Sequence, residues 1–387
     1  MRVGFDVSLT AERMAGCAIV ADQFLRNLVP ACPSDEFIPY PIFGGFRSPN
    51  FERATRPNAP NVSSPHFSMS WDDLIQAWDQ RGPDFDAFLG DPDVIHANNF
   101  SCPRGVAAPI VYTLYDLSPI EMAAFHTEQN RLFCFDGMYE AGLLAAQFVA
   151  ISESTRDRFL HWFPHVPADA VTVIPLAARP SITAHQSDTD VAATLAKFDV
   201  MPDEFWFAVG TIEPRKNYAL LLDAYAQLVA ETPAGQRPRP LCIAGQTGWL
   251  ESSLEPRIRR LGLESQVRCL GFVDDRELTA LYRSCLGFVF PSRYEGFGLP
   301  VIEAMACGAA VITSRTTSLP EVVGDAGFLI DIQSGEDCYA AMATLASDPV
   351  RRDELRAAAR ERAATFSWAQ AARRVREVYA RTQEHRA

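Results

Sequence analysis

The segment Gly210-Thr211-Ile212-Glu213-Pro214-Arg215-Lys216-Asn217 sets two cations side by side between an apolar run and a helical pattern. At a strand-to-helix turn, backbone N–H groups lack partners and the helix dipole is positive. Cations are disfavoured there unless an anion joins them. Arg215, Lys216 and the amides that follow Gly210 therefore predict an anion site of the phosphate type. The alternative is a pair of solvated cations at a helix start. Lys216 is also one of only two lysines among 35 basic residues, the other being Lys197.

A second segment is Glu295-Gly296-Phe297-Gly298-Leu299-Pro300-Val301-Ile302-Glu303. Pro300 suits a first helical turn and Gly308 a helix end, so the pattern predicts a short helix. Gly296 and Gly298 let backbone amides approach a ligand without a Cβ in the way. Glu295 would lie in the loop and Glu303 about one turn into the helix. One carboxylate could accept sugar hydroxyls and the other ribose hydroxyls. The alternative is that Glu303 complements the dipole and Glu295 is solvated.

These segments need strands to hold them. Apolar runs occur at 205–212, 241–245, 267–273, 286–291, 309–313 and 327–331, with helical patterns between them. In 218–229 the residues Leu221, Ala224, Tyr225, Leu228 and Val229 share one helical face. Such alternation predicts a parallel sheet covered on both faces. The N-terminal half offers runs at 2–7, 37–42, 94–97, 110–114, 148–151 and 171–176. Residues 44–90 show no period and read as loops and short elements at the rim. The polar stretch 177–193 reads as a linker, and 348–381 as a long helix broken near Phe366-Ser367-Trp368. The resulting division is 1–185, 186–365, and a final segment 366–387 packing back on the first domain. The fold class is α/β, with two doubly wound, Rossmann-like parallel-sheet domains whose strand ends share a cleft.

Composition narrows the function. The 387 residues carry a net charge of −13, and 1–185 holds 12 arginines, no lysine and 21 acids. Nucleic acid is excluded as a partner on this ground. The acidic half also argues against a broad dock on anionic lipid, though a small patch for weak peripheral association at the inner membrane face stays open. No apolar run reaches the ~18 residues of a membrane span, and no secretory signal pattern is present, so a cytoplasmic protein is expected. Nine scattered cysteines without C-x-x-C predict neither a disulfide framework nor zinc.

The run FPSRYEGFGLPVIEAMACGAAVITSRTTSLPEVVGDAGFLID, residues 290–331, resembles the retaining nucleotide-sugar glycosyltransferases of GT-B fold in family 4. Glu295 and Glu303 match that family's E-x7-E motif, and GTIEPRKN its phosphate-binding segment. The resemblance is dense over 205–335. In the N-terminal half it rests on the first strand with Gly16, on VYTLYDLSP and on VAISESTRDRF. It implies that Arg215 and Lys216, in the segment opened by Gly210, hold the donor diphosphate. It implies that Glu295 binds the donor sugar and Glu303 the ribose. The amides of Gly296, Phe297, Gly298 and Leu299 would line sugar and phosphate, and Gly271-Phe272-Val273 would border the base. Gly16 would let the first domain approach the diphosphate. Work without a metal or other cofactor is implied, and no D-x-D motif stands out. Asp274-Asp275 reads instead as a helix start with an Asp N-cap.

Two departures from the family pattern stand out. Gly16 is followed by Cys17 and Ala18 where a second glycine is common. Tyr115-Asp116 replaces His-Asp at a strand end. Tyrosine, with an ordinary pKa of about 10, cannot serve as a base near neutral pH. Tyr115 either hydrogen-bonds a sugar or packs, and Asp116 orients donor or acceptor. His96, at another strand end, is a candidate for acceptor contact. The resemblance implies transfer of a sugar, with a lean toward GDP-mannose, to a hydroxyl of a glycan or lipid-linked saccharide, as in cell-surface polysaccharide synthesis. The rival readings are a non-catalytic nucleotide-sugar-binding protein and a nucleotide-sugar 2-epimerase. A nicotinamide dehydrogenase would need a G-x-G-x-x-G that residues 8–20 lack.

Overall fold

The computed structural model describes residues 1–11, 16–45, 47–82, 84–233, 235–248 and 253–384. They form two compact units, one of 1–123, 128–176 and 367 onward, the other of 124–127 and 177–366. Residues 385–387 of the expected final segment, 12–15 before Gly16, and 46 and 83 within the 44–90 stretch lie outside the described residues.

The first unit is built on β1 (Arg2–Asp6), β2 (Glu36–Tyr40), β3 (Val94–Ala97), β4 (Ile110–Leu114), β5 (Ala145–Ala150) and β6 (Val171–Val173). All pair in parallel, in the order β2-β1-β3-β4-β5-β6. Each strand is almost wholly buried, which is why it reads as a run and not as an alternation. The chain direction of the sheet order reverses between β1 and β3, and such a switch point leaves a crevice at the carboxyl ends of the strands.

Two expectations for the linking segments change. Residues 44–90 do more than line a rim. Helix Trp71–Asp79, capped by Ser70, sends Leu74 and Trp78 into the core with Phe51, Phe85 and Leu89. Isolated aromatics buried one at a time leave no periodic trace in sequence. The last helix, Trp368–Glu384, belongs to this unit and packs on helix Cys17–Ala31. Trp368 meets Phe24 edge-on at 5.7 Å, and Ala372, Val375, Val378 and Tyr379 are fully buried.

The second unit is built on β7 (Trp206–Val209), β8 (Leu241–Ala244), β9 (Val267–Gly271), β10 (Gly287–Phe290), β11 (Val311–Ser314) and β12 (Phe328–Ile330), in the order β12-β11-β10-β7-β8-β9. This is the doubly wound order with its switch point between β7 and β10. Helix Tyr218–Ala230 buries Leu221, Leu222, Ala224 and Tyr225, as its apolar spacing requires. Residues 177–193 are not a free linker. Ile182 is fully buried, helix Asp188–Lys197 starts on a Ser187 cap, and Arg179 and Ser181 are bonded within this unit. Polar composition misled here because several of the polar groups, Arg179, Ser181 and Ser187 among them, have specific partners. Among the described residues no helix is long and apolar enough to cross a membrane.

Candidate functional site

The loops after β7 and β10 leave neighbouring strands at the switch point, and they are stitched together. Arg293 N donates to the Arg215 carbonyl (2.8 Å), and Arg215 Nη1 donates to the Tyr294 carbonyl (2.7 Å). Arg293 Nη2 reaches Asn217 Oδ1 at 2.9 Å. The two segments singled out by residue type thus become one site. Lys216 Nζ donates to Glu295 Oε1 at 2.5 Å, and Arg215 Nη1 lies 3.2 Å from Glu295 Oε2. Glu213, almost fully buried, takes Arg215 Nη2 at 2.6 Å. Lys216 Nζ also lies 4.8 Å from the centre of the Phe290 ring.

The charges are held out of water, and that sets their chemistry. Burial alone would raise the Glu295 pKa, but Lys216, Arg215 and the Ser292 hydroxyl outweigh it and hold it at about 2. Burial and the nearby Arg215 charge lower the pKa of Lys216, against the pull of Glu295. Lys216 commits one of its three donors to Glu295. A phosphate arriving here would meet cations already fixed in place.

Three residues that orient Glu295 escaped sequence reasoning. Ser292 Oγ donates to its Oε1 at 2.6 Å, Thr317 Oγ1 accepts from its backbone N at 3.0 Å, and Ser318 Oγ donates to its carbonyl at 2.9 Å. Thr317 sits at φ +48°, a left-handed conformation costly for a β-branched residue. Short hydroxyl residues scattered over 26 positions carry no sequence signal of their own.

The helix after Glu295 runs Leu299–Cys307, with Pro300 in its first turn and Gly308 at φ +82° ending it. Gly298, at φ +99°, is its N-cap, and a Cβ there would lie 2.6 Å from Leu319 Cδ2. Only glycine meets both conditions. Phe297 is buried edge-on against Phe366, and Gly296 is buried beside it. Glu303 is 2% exposed and grips Arg179, whose Nε and Nη2 donate at 2.5 and 3.1 Å. Burial leaves Glu303 titrating above the ordinary carboxylate value although Arg179 pulls it down.

Gly210 ends β7 against the Lys216 side chain and the Tyr218 hydroxyl, which donates to its carbonyl at 2.9 Å. Beside it, a Cβ on Gly245 would lie 2.0 Å from the Gly210 carbonyl oxygen. Gly245 N donates to the Gly271 carbonyl at 2.8 Å. Gly245 joins the strand-end glycines although the apolar run hid it. Phe272 is 61% exposed and Val273 is buried. Asp274 caps helix Asp275–Ser284 in a reciprocal box with Glu277.

The remaining candidates lie in the first unit. Gly16, exposed at φ +48°, is the N-cap of helix Cys17–Ala31. Tyr115 is 4% exposed, leans on Phe100 and donates to the Cys17 carbonyl at 3.3 Å. Asp116 Oδ1 accepts from Ser118 N and Oγ at 2.9 and 2.7 Å. His96 offers no contact to an acceptor, since it is fully buried. Its Nδ1 lies 2.6 Å from the Tyr379 hydroxyl and its Nε2 2.8 Å from Thr113 Oγ1, and burial lowers its pKa to about 3. Among the described residues no cluster of three His, Cys, Asp or Glu side chains is placed to hold a metal ion.

Known proteins are similar to this chain in sequence and in fold. Residues 196–363 match the family described as glycosyl transferases group 1. The chain is 33% identical to the O-antigen chain mannosyltransferase B of Escherichia coli over 275 residues, 71% of each chain. It is 36% identical over 228 residues to the serotype-specific mannosyltransferase WbdA of Escherichia coli, 58% of this chain but only 27% of that one. The structure of Anabaena Alr3699/HepE in complex with UDP and glucose aligns at TM-score 0.71 and 20% identity, covering 98% of this chain and 99% of that chain. The structure of WaaG, a glycosyltransferase involved in lipopolysaccharide biosynthesis, aligns at TM-score 0.67 and 15% identity, covering 98% and 99%.

Proposed function

Because the chain belongs to the group 1 glycosyl transferases, enzymes that carry their chemistry on the GT-B pair of Rossmann-like sheets, we propose that it is a retaining family 4 mannosyltransferase. The donor is GDP-mannose, and the acceptor is a hydroxyl of a glycan or lipid-linked saccharide in polysaccharide assembly. The observation that carries the reading is the ion cluster of Lys216, Arg215 and Glu295 at the β7–β10 switch point. The mannosyl reading draws on the 33% identity to an O-antigen mannosyltransferase, against the 20% identity to a protein seen with UDP and glucose.

In the proposed step the bond from the anomeric carbon to the diphosphate oxygen breaks. The acceptor hydroxyl oxygen bonds to that carbon on the same face, and its proton passes to the leaving phosphate. Lys216 and Arg215 neutralise the charge that grows on the diphosphate, which works best where they are already desolvated and fixed. Glu295, ionised and held from three sides, accepts hydroxyls of the mannose. Glu303 accepts a ribose hydroxyl, and the amides from Gly296 to Leu299 line the sugar and phosphate. Gly271, Phe272 and Val273 border the base. Fixed cations replace a metal ion in this reading. The outward row Leu132, Phe135, Tyr139 and Leu143 on helix Glu128–Leu144 supports weak contact with a lipid surface.

The test is turnover of GDP-mannose, UDP-glucose and ADP-glucose by the purified protein, with and without EDTA, followed by nucleotide release. GDP release from GDP-mannose alone, insensitive to EDTA and lost in Glu295→Gln, is the expected result. Preference for a uridine donor overturns the donor assignment, and full activity in Glu295→Gln overturns the site.

A further inference from the structure

Arg179 lies in the stretch that composition marks as a linker, yet its guanidinium is bonded through all three nitrogens. Nε and Nη2 fork onto the two oxygens of Glu303, and Nη1 donates to Asp275 Oδ1 at 2.6 Å. Ser181 Oγ, two residues on, fixes the other Asp275 oxygen at 2.6 Å. The Glu303 side chain is 3% exposed and that of Arg179 is 17% exposed. A carboxylate this deep loses its charge unless a cation and hydrogen bonds compensate it. The other titratable groups facing Glu303 are the Asp275 carboxylate, the Tyr282 phenol and the Cys307 thiol, none of them a cation. Arg179 therefore supplies the compensation.

The fork also fixes geometry. A carboxylate offers about four lone-pair positions, and a bidentate arginine takes two of them. The Arg179 backbone N–H also hydrogen-bonds this carboxylate, which leaves about one position for a hydroxyl of the ligand. We propose that Arg179 is a positioning residue for donor recognition, holding Glu303 ionised and in the one rotamer from which it accepts a ribose hydroxyl of a nucleoside diphosphate. This inference rests on the reading above that Glu303 meets the ribose.

The test is calorimetric binding of GDP and UDP, and of the 2′-deoxy form of whichever binds, between pH 6 and 8.5. The proteins are the full chain and its Arg179→Met, Arg179→Lys, Glu303→Gln and double Arg179→Met/Glu303→Gln variants. Wild-type affinity stays flat with pH, and the 2′-deoxy nucleotide binds about tenfold more weakly, as expected for one charge-assisted hydrogen bond. Arg179→Met binds about tenfold more weakly at pH 6 and recovers as the pH rises, because Glu303 must then lose its proton without help. It no longer distinguishes the 2′-deoxy nucleotide at pH 6. Arg179→Lys, which keeps the charge and folds with one hydrogen bond, lies between. The double variant is no weaker than Glu303→Gln alone. A pH-independent, wild-type affinity in Arg179→Met makes Arg179 a mere strap and overturns the inference, while leaving the Glu303 reading standing. Wild-type affinity in Glu303→Gln sinks that reading itself.

Discussion

Both units open a switch point at the carboxyl ends of a parallel sheet, and they fill it with opposite chemistry. Between β7 and β10 the second unit concentrates charge, in Lys216, Arg215, Glu213 and Glu295. Between β1 and β3 the first unit holds a hydrogen-bond relay without a cation. Asp6 accepts from Ser8 and from Asn98 N, Thr113 Oγ1 donates to Asn98 Oδ1 at 2.8 Å, and His96 links Thr113 to Tyr379. With Thr113 already donating, His96 Nε2 donates to it, and because burial keeps the ring neutral, Nδ1 accepts from the Tyr379 hydroxyl. No cation enters that relay, so burial raises the pKa of Asp6 to about 6, whereas two cations hold Glu295 at about 2. The same fold position can hold a cation-free hydrogen-bond relay or a desolvated ion cluster, and the presence of a cation decides which.

The largest test of this contrast is His96→Ala. It strands the Tyr379 and Thr113 hydroxyls and opens a cavity, costing about 4 kcal/mol of stability by urea unfolding. Nucleotide affinity stays unchanged, and a matching loss of affinity would erase the distinction between the two switch points. The pH dependence comes next, with opposite signs. Asp6 titrates higher folded than unfolded, so its contribution is present below pH 4 and fades as the pH rises through 6. Glu295 titrates lower folded, so its contribution is present above pH 4.5 and fades as the pH falls through 2. Each amounts to about 3 kcal/mol at full extent. Melting curves should therefore flatten between pH 4 and 6 in Asp6→Asn and between pH 2 and 4.5 in Glu295→Gln. The smallest of the three is Lys216→Ala. Losing one charge-assisted hydrogen bond of about 1.5–3 kcal/mol lowers kcat/KM roughly 10- to 150-fold. Unchanged kinetics would leave the cluster a structural pair.

The contrast also explains what was legible beforehand. The twelve strands of the described residues announced themselves, most of them because a strand buried on both faces is apolar throughout, although β9 carries Arg268 and is half open to solvent. The runs at 94–97 and 110–114 match their strands, while 171–176 and 286–291 were drawn too long at their ends, since Ile174, Leu176 and Pro291 are buried beyond the last ladder pairing. Helix Leu299–Cys307 was readable from Pro300 and Gly308, and helix Asp275–Ser284 from Asp274, because caps are local chemistry. The charged site was half legible. Arg215, Lys216 and Glu295 stood out by type and by neighbouring glycines, but their mutual contact spans 79 positions. Arg179 was invisible, because its partner lies 124 residues away and its own surroundings look like linker. Of the cation-free relay only His96 stood out, in another role, since asparagine, serine and threonine at strand ends are ordinary loop residues until the sheet brings them together.

The return of helix Trp368–Glu384 to the first unit has a consequence for how the molecule is made. Its fully buried residues, Ala372, Val375, Val378 and Tyr379, and Tyr379's bond to His96 are missing from that unit until the last stretch has been synthesised. The second unit draws only on residues up to 366 and can close its core first. On a ribosome the half synthesised first is therefore the half that finishes folding last, waiting with an open groove along helix Cys17–Ala31 while its successor matures.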